Sequence, residues 1–134
     1  MLTTQRTVQS YTPYALAALR IVTAYLFIQH GTAKLFGFPH QDMFDGLQLF
    51  SLIGLAGALE VAGGLLIGVG LFTRPTAFVL SGMMAVAYFM AHAPQGFWPI
   101  LNKGELAVLY CFVFLYLAAA GAGPLSLDRI MRRA

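Results

Sequence analysis

The stretch PYALAALRIVTAYLFIQHGTAKL, Pro13 to Leu35, decides how the chain is read. It is long enough to cross the hydrocarbon of a bilayer as a helix, which takes about 20 apolar residues. It also carries Arg20, His30 and Lys34, which no lipid-facing surface tolerates. At 100° per residue, Arg20, Thr23, Phe27, His30 and Lys34 fall within an arc of roughly 80°, so one face of this helix looks into protein.

The composition agrees. Of 134 residues, 59% are hydrophobic and only 10% charged, and mean hydropathy is +0.75. Soluble domains run nearer 45–50% apolar and about 25% charged. Eight basic and five acidic side chains cannot cover a soluble domain of this size. The chain reads as an integral membrane protein in contact with the lipid bilayer. The net charge of +3 is scattered along the chain, which excludes a nucleic-acid binder with a basic face. A single cysteine, Cys111, excludes an intrachain disulfide, a dithiol relay and a cysteine-based zinc site.

Three further apolar spans follow, Leu47 to Phe72, Pro75 to Ala93 and Glu105 to Ala122. Gly37–Asp42, Thr73-Arg74-Pro75 and the segment from Pro94 to Gly104 punctuate them. Period-2 alternation is absent, which argues against a membrane barrel. The first apolar stretch is too long for a signal peptide and lacks a small-residue cleavage site, so it is expected to stay as a membrane helix. The expectation is one all-α membrane domain over 1–134, a four-helix bundle with helices about 13–35, 47–72, 75–93 and 105–122. Arg6, Arg74, Arg129, Arg132 and Arg133 share one side of such a bundle, against Lys34 and Lys103 on the other. The positive-inside rule then places both termini in the cytoplasm.

Charges within the spans carry the functional information. Glu60 sits near the middle of the second span, among Gly57, Gly63 and Gly64, on a seam where small residues let helices approach. Counting ~1.5 Å per residue puts Arg20 about 10 Å and Glu60 about 16 Å from the inner surface. This predicts a buried Arg20–Glu60 ion pair, either a structural clamp or a direct participant in ligand binding or proton movement. A second polar layer lies further out. His92 is about 26 Å from the inner end and His30 about 25 Å, with Asn102, Lys103 and Glu105 entering at the same level. Ser81, Tyr88 and His92 share one narrow face of the third span. Histidines beside a carboxylate can pass protons near neutral pH, to a quinone or a substrate reached from outside. A polar network that locks the helix ends is the competing reading.

Two histidines at one depth also suit a bis-histidine haem b, but Glu105 and Lys34 would crowd the ring. No ligand spacing for a metal is present, and there is no phosphate loop or serine elbow. No tightly bound cofactor is expected; quinone is the candidate.

Leu19-Arg20, then His30-Gly31-x-x-Lys34-Leu35-Phe36-Gly37-Phe38-Pro39, resemble the opening signature of the DoxX family of small bacterial membrane proteins. Glu60-x-x-Gly63-Gly64-Leu65-Leu66 with Gly70-Leu71-x-Thr73-Arg74 is similar to its second-helix signature. Ala91-His92, Asn102-Lys103-Gly104-Glu105-Leu106-Ala107 and Gly123-Pro124-x-Ser126-Leu127-Asp128 match the remainder in order. The resemblance implies a four-helix bundle in the bacterial inner membrane. Relatives include a membrane subunit of a thiosulfate:quinone oxidoreductase and proteins tied to oxidative stress, some acting beside soluble redox enzymes. Its recurring positions coincide with Arg20, His30, Lys34, Glu60, His92, Asn102 and Glu105. The expected function is a redox-associated subunit handling a quinone, or a small aromatic or sulfur substrate, in an outward-facing polar pocket. His30, His92 and Glu105 would be catalytic, Lys34, Asn102 and Tyr88 would bind substrate, and Arg20–Glu60 would form the floor. A soluble or membrane redox partner chain is implied. A transporter working as a homo-oligomer, and a non-catalytic scaffold, are the alternatives.

Overall fold

The computed structural model describes residues 2–132, with side chains from residue 8 onward. Among the described residues there are helices and turns and no strand. Helix α1 is Leu2–Phe36, α2 is Leu52–Val69 and α3 is Thr73–Ala87, which continues through a π turn, Tyr88–His92, and a 3₁₀ turn, Ala93–Gln95. A short α4, Pro99–Asn102, precedes α5, Glu105–Ala120, and α6 is Leu127–Met131. Among the described residues, three helical stretches are long and apolar enough to cross a membrane: Val8–Phe36, Leu52–Val69 and Thr73–Gln95. Glu105–Ala120 is apolar but shorter. Helix α1 runs through Pro13 rather than starting there; one proline removes one hydrogen bond without ending a helix that packing holds. Helix α2 begins at Leu52 rather than near Leu47, because the Ser51 hydroxyl caps it by accepting from the Gly54 N–H at 3.1 Å. Of the arginines expected at the inner side, Arg133 and the Arg6 side chain lie outside what is described.

Helices α1 and α2 pack closely because the seam is built of small residues. A Cβ at Gly31 would meet the Gly57 carbonyl and Val61 at 2.7 Å, and one at Gly64 would overlap Ile28. Gly68 faces Ala24, and Gly57 faces Lys34 and Leu35. These contacts fix an antiparallel register in which Glu60 lies opposite Gly31, and Arg20 lies opposite the end of α2.

That register overturns the expected Arg20–Glu60 pair. Arg20 stands eleven residues before Gly31, about 16 Å away along the helix. Its guanidinium, completely buried, instead donates to the last turn of α2, reaching the carbonyls of Ile67 at 2.8 Å and Gly68 at 2.5 Å. It also donates to Ala122 at 2.9 Å and Leu125 at 2.8 Å in the segment after α5. The Gly68 carbonyl is one that a helix end leaves without an intrahelical partner, the Ile67 carbonyl already accepts from the Gly70 N–H at 3.1 Å, and the positive charge suits the negative end of the helix dipole.

The neighbouring turn is closed with the same economy. Gly70 ends α2 in the left-handed conformation (φ 69°), and the Leu71 N–H returns to the Leu66 carbonyl at 2.9 Å. The Asp128 carboxylate accepts from the backbone N–H groups of Phe72 and Thr73 at 2.8 and 2.9 Å, at the N-terminus of α3. Arg74, the second residue of α3, donates to the carbonyls of Ala118 and Ala119 at the end of α5. Arg20, Arg74 and Asp128 thus tie α1, α2, α3, α5 and α6 together at one end of the fold.

The core is narrow. Phe27 of α1 meets Phe114 and Tyr110 of α5 edge-on, with ring centroids 4.8 and 5.1 Å apart. Ile67, Ala77, Leu80 and Leu117 complete it. Ser81 of α3 donates to the Cys111 carbonyl of α5 at 2.8 Å. Outward, every long helix presents large apolar side chains, Tyr25, Leu55, Phe78 and Phe112 among them. A surface of that kind is covered by lipid. The chain is a membrane protein.

Replacing Arg20 with Met should leave the buried Ala122 carbonyl and the part-buried Gly68 carbonyl without a donor, at about 1–3 kcal/mol each. The purified variant should unfold at markedly lower temperature; an unchanged melting temperature would refute the clamp. Asp128→Asn should cost about 1 kcal/mol, the scale of a lost helix cap. Burial pushes the Asp128 carboxyl up, but hydrogen bonds from Thr73 and Phe72 and the charge of Arg132 outweigh it and hold it below its usual range. Its contribution is therefore full above the unfolded carboxylate range and lost as pH falls through the lowered folded value. Thermal melts across that acid range should lose this increment in the natural chain and not in Asp128→Asn.

Candidate functional site

The most deeply placed charge pair in the apolar body of the protein joins α1 to α2. Lys34 Nζ donates to Glu60 Oε1 at 2.5 Å, with side chains only 14% and 6% exposed. The register explains the choice of partner: Lys34 lies one turn beyond Gly31, and its amine reaches back to the carboxylate opposite. Gly57 leaves room for the lysine stem, since a Cβ there would sit 3.0 Å from Lys34 Cβ.

One carboxylate oxygen is so engaged, and the other is not. Glu60 Oε2 is buried without a hydrogen-bond partner, and so is the Tyr110 hydroxyl. Tyr110, from the second turn of α5, lies within electrostatic reach of Glu60. Its ring meets His30 edge-on, with centroids 6.0 Å apart, and His30 is in electrostatic reach of Lys34. Lys34, Glu60, His30 and Tyr110 thus form one cluster drawn from three helices. Buried polar atoms left unpaired are costly, about 1–3 kcal/mol each, and this cluster holds two of them. The sequence reading did not single out Tyr110. Its spacing to Phe114 on one α5 face was the available signal, and it reads as ordinary core.

The other expected site residues assemble elsewhere. His92 Nδ1 lies 3.0 Å from the Asn102 carbonyl. The Asn102 amide donates to the Gly96 carbonyl at 2.8 Å and to Tyr88 Oη at 3.3 Å, and its oxygen accepts from the Gly104 N–H at 2.9 Å. The Tyr88 and His92 rings stack at 6.3 Å. Fully buried Asn102 therefore folds the α3–α5 connection around itself, and the π turn, a device frequent at functional sites, carries both rings to it. Gly104 is needed here because a Cβ would strike the Tyr88 ring. Glu105 is exposed on the first turn of α5. Among the described residues, no hydrogen bond, ion pair or ring contact joins His30 to His92 or Glu105. Equal depth placed them on one level and not at one point.

A cavity of about 290 Å³ opens above the Lys34–Glu60 pair, lined by Lys34, His40, Gln41, Phe44 and Asp45. Lys34 Nζ stands 5.7 Å from the centre of the Phe44 ring. At its rim His40 Nε2 is 3.0 Å from Asp42 and Nδ1 is 3.7 Å from Asp45. These three exposed side chains could approach a cation, but each ring nitrogen already faces its own carboxylate, which is how a solvated loop pairs its charges.

A family model described as DoxX matches residues 15–93. An uncharacterized protein of Haemophilus influenzae is 49% identical over 90% of this chain and 92% of its own length. The Escherichia coli "Inner membrane protein YqjF" is 30% identical over 85% of this chain and 89% of its own. The Bacillus subtilis "Putative oxidoreductase CatD" is 30% identical over 82% of this chain and 81% of its own. No solved structure matches.

Lys34→Met removes one partner of a buried pair and should cost about 3–5 kcal/mol, whereas Lys34→Met with Glu60→Leu should recover most of it. Thermal unfolding of the two purified variants decides the point. A double variant as unstable as the single one would show that the two charges do not answer each other.

Proposed function

The chain belongs to the DoxX family, and on that premise we propose that it is a redox-associated membrane subunit that receives a quinone, or a small aromatic or sulfur substrate, at the Lys34–Glu60 pair. The observation that carries this reading is the Glu60 carboxylate, half engaged by Lys34 and half unpartnered, beside Tyr110 and beneath a polar cavity. Lys34 keeps ammonium hydrogens beyond the one given to Glu60, and these can hold a carbonyl or sulfur-bound oxygen. Glu60 and His30 exchange protons with the substrate, and Tyr110 donates its hydroxyl hydrogen bond to the reacting oxygen or to the carboxylate. A quinone becoming a quinol takes up two electrons and two protons. The electrons come from a soluble or membrane partner chain, and this chain's residues supply and position the protons. A relative bearing the name of an oxidoreductase is consistent with this role.

In the same reading Glu105–Ala120 completes a fourth crossing. Its sixteen residues cover about 24 Å, and the short α4 turn before it extends the reach. The surplus of arginine at the α2–α3 turn and C-terminus sets both termini in the cytoplasm of a bacterial inner membrane, where two relatives are named. The cavity over Lys34 then opens outward. His92, Asn102 and Tyr88 serve by closing the outer α3–α5 connection, and Glu105 stands at its rim.

Glu60→Gln and Tyr110→Phe should each lower quinone-linked turnover, measured in membranes containing the partner, by about ten- to a hundredfold, the usual scale of lost proton transfer. Asn102 variants should act through stability instead. Organic extraction of the detergent-purified protein should yield quinone from the natural chain and less from Lys34→Met. Full turnover in a well-expressed Glu60→Gln protein would overturn the reading.

A further inference from the structure

Beside the polar cavity lies a second, larger one of about 780 Å³, and its walls are almost wholly apolar: Phe36, Phe50, Leu52, Leu55 and Ala58 among them. The two share a wall, since Leu35 and Leu49 line both. Leu49 is held in place from below. Its carbonyl packs so closely on α2 that a Cβ at Gly54 would overlap it. Leu35 is held by Gly57, where a Cβ would sit 3.2 Å from the leucine side chain. One end of the pair of chambers therefore offers an ammonium and the Gln41 amide, and the other offers only hydrocarbon, with a two-leucine partition between.

From this adjacency we propose that the ligand of the Lys34–Glu60 site is a tailed amphiphile, its ring in the polar cavity and its apolar tail passing over Leu35 and Leu49 into the groove beyond. The inference rests on the proposed function and narrows its substrate class from small molecules in general to membrane-dissolved ones that enter sideways from the bilayer. Two observations choose the head. The polar chamber, about 290 Å³, lies just under the roughly 300–1,000 Å³ typical of ligand sites and suits a single substituted ring. Its lining includes the Asp45 carboxylate as well as Lys34, and Lys34 is already neutralised by Glu60, so a neutral head that accepts hydrogen bonds fits better than a phosphate. A ring bearing carbonyl oxygens has that character. The groove faces the hydrocarbon through exposed Leu52, Leu55 and Ala58, so a tail can lie in it without leaving the apolar phase.

The test uses the full chain in lipid nanodiscs and two probes: a dimethoxy-methyl-benzoquinone without a tail, and the same ring bearing a decyl tail. Each probe is titrated against the natural chain and against Ala58→Trp and Leu52→Trp, two outward-facing positions where a large side chain fills the groove without entering the core. Comparing variant with natural chain for one probe cancels its partition into lipid. The expected result is that both variants weaken the tailed probe about tenfold, or ~1.4 kcal/mol, and leave the tailless one unchanged. Equal binding of the tailed probe to all three proteins would overturn the tail site while leaving ring binding at Lys34 intact. Displacement of the tailed ring by a phospholipid would overturn it too, by making the groove a lipid seat. Failure of both probes to bind the natural chain would remove the proposed function along with it.

Discussion

A guanidinium completely shut away from solvent has to be answered by acceptors, and in this protein the answer organises one whole end of the fold. Arg20 draws together α1, the last turn of α2 and the segment after α5, all through backbone carbonyls. Carbonyls at a helix end are partial negative charges already in need of donors. The arginine and the helix end therefore satisfy each other with no carboxylate spent on the task. Asp128 does the converse at the start of α3, and Arg74 repeats the arginine's role at the end of α5.

This arrangement shapes the proposed site. With Arg20 committed to main-chain groups, Glu60 is left to Lys34, further toward the opposite end of the helices. A lysine holds a carboxylate as a point charge with hydrogens to spare, where a forked guanidinium would occupy both oxygens. The second oxygen of Glu60 stays open, next to Tyr110 and His30. Rigid, fully bonded charge at one end and an incompletely bonded cluster toward the other is the division expected of a scaffold that carries a site.

Much of this was legible in the residues. Few charges among many apolar side chains, spans of membrane length and proline-glycine breaks followed from the cost of exposing backbone and charge to lipid. The polar stripe on α1 and the glycine seam beside Glu60 were readable because helical spacing is fixed, so residues three and four apart share a face. The family signature could be quoted from Arg20 to Asp128. Depth along a helix, however, gave the wrong partner for Arg20 and put His30, His92 and Glu105 on one level as though that were one place.

The sequence by itself determined which residues could not face lipid, because desolvation of charge is a property of the side chain and its span, independent of neighbours. Only the tertiary structure decided which of them meet. The antiparallel register of α1 on α2 is set by where glycines allow contact, and it brings Lys34 rather than Arg20 to Glu60. Rotation of α5 about its axis brings Tyr110 inward to His30 and leaves Glu105 outside. Register and rotation depend on many side chains packing at once, and no single helix carries that information.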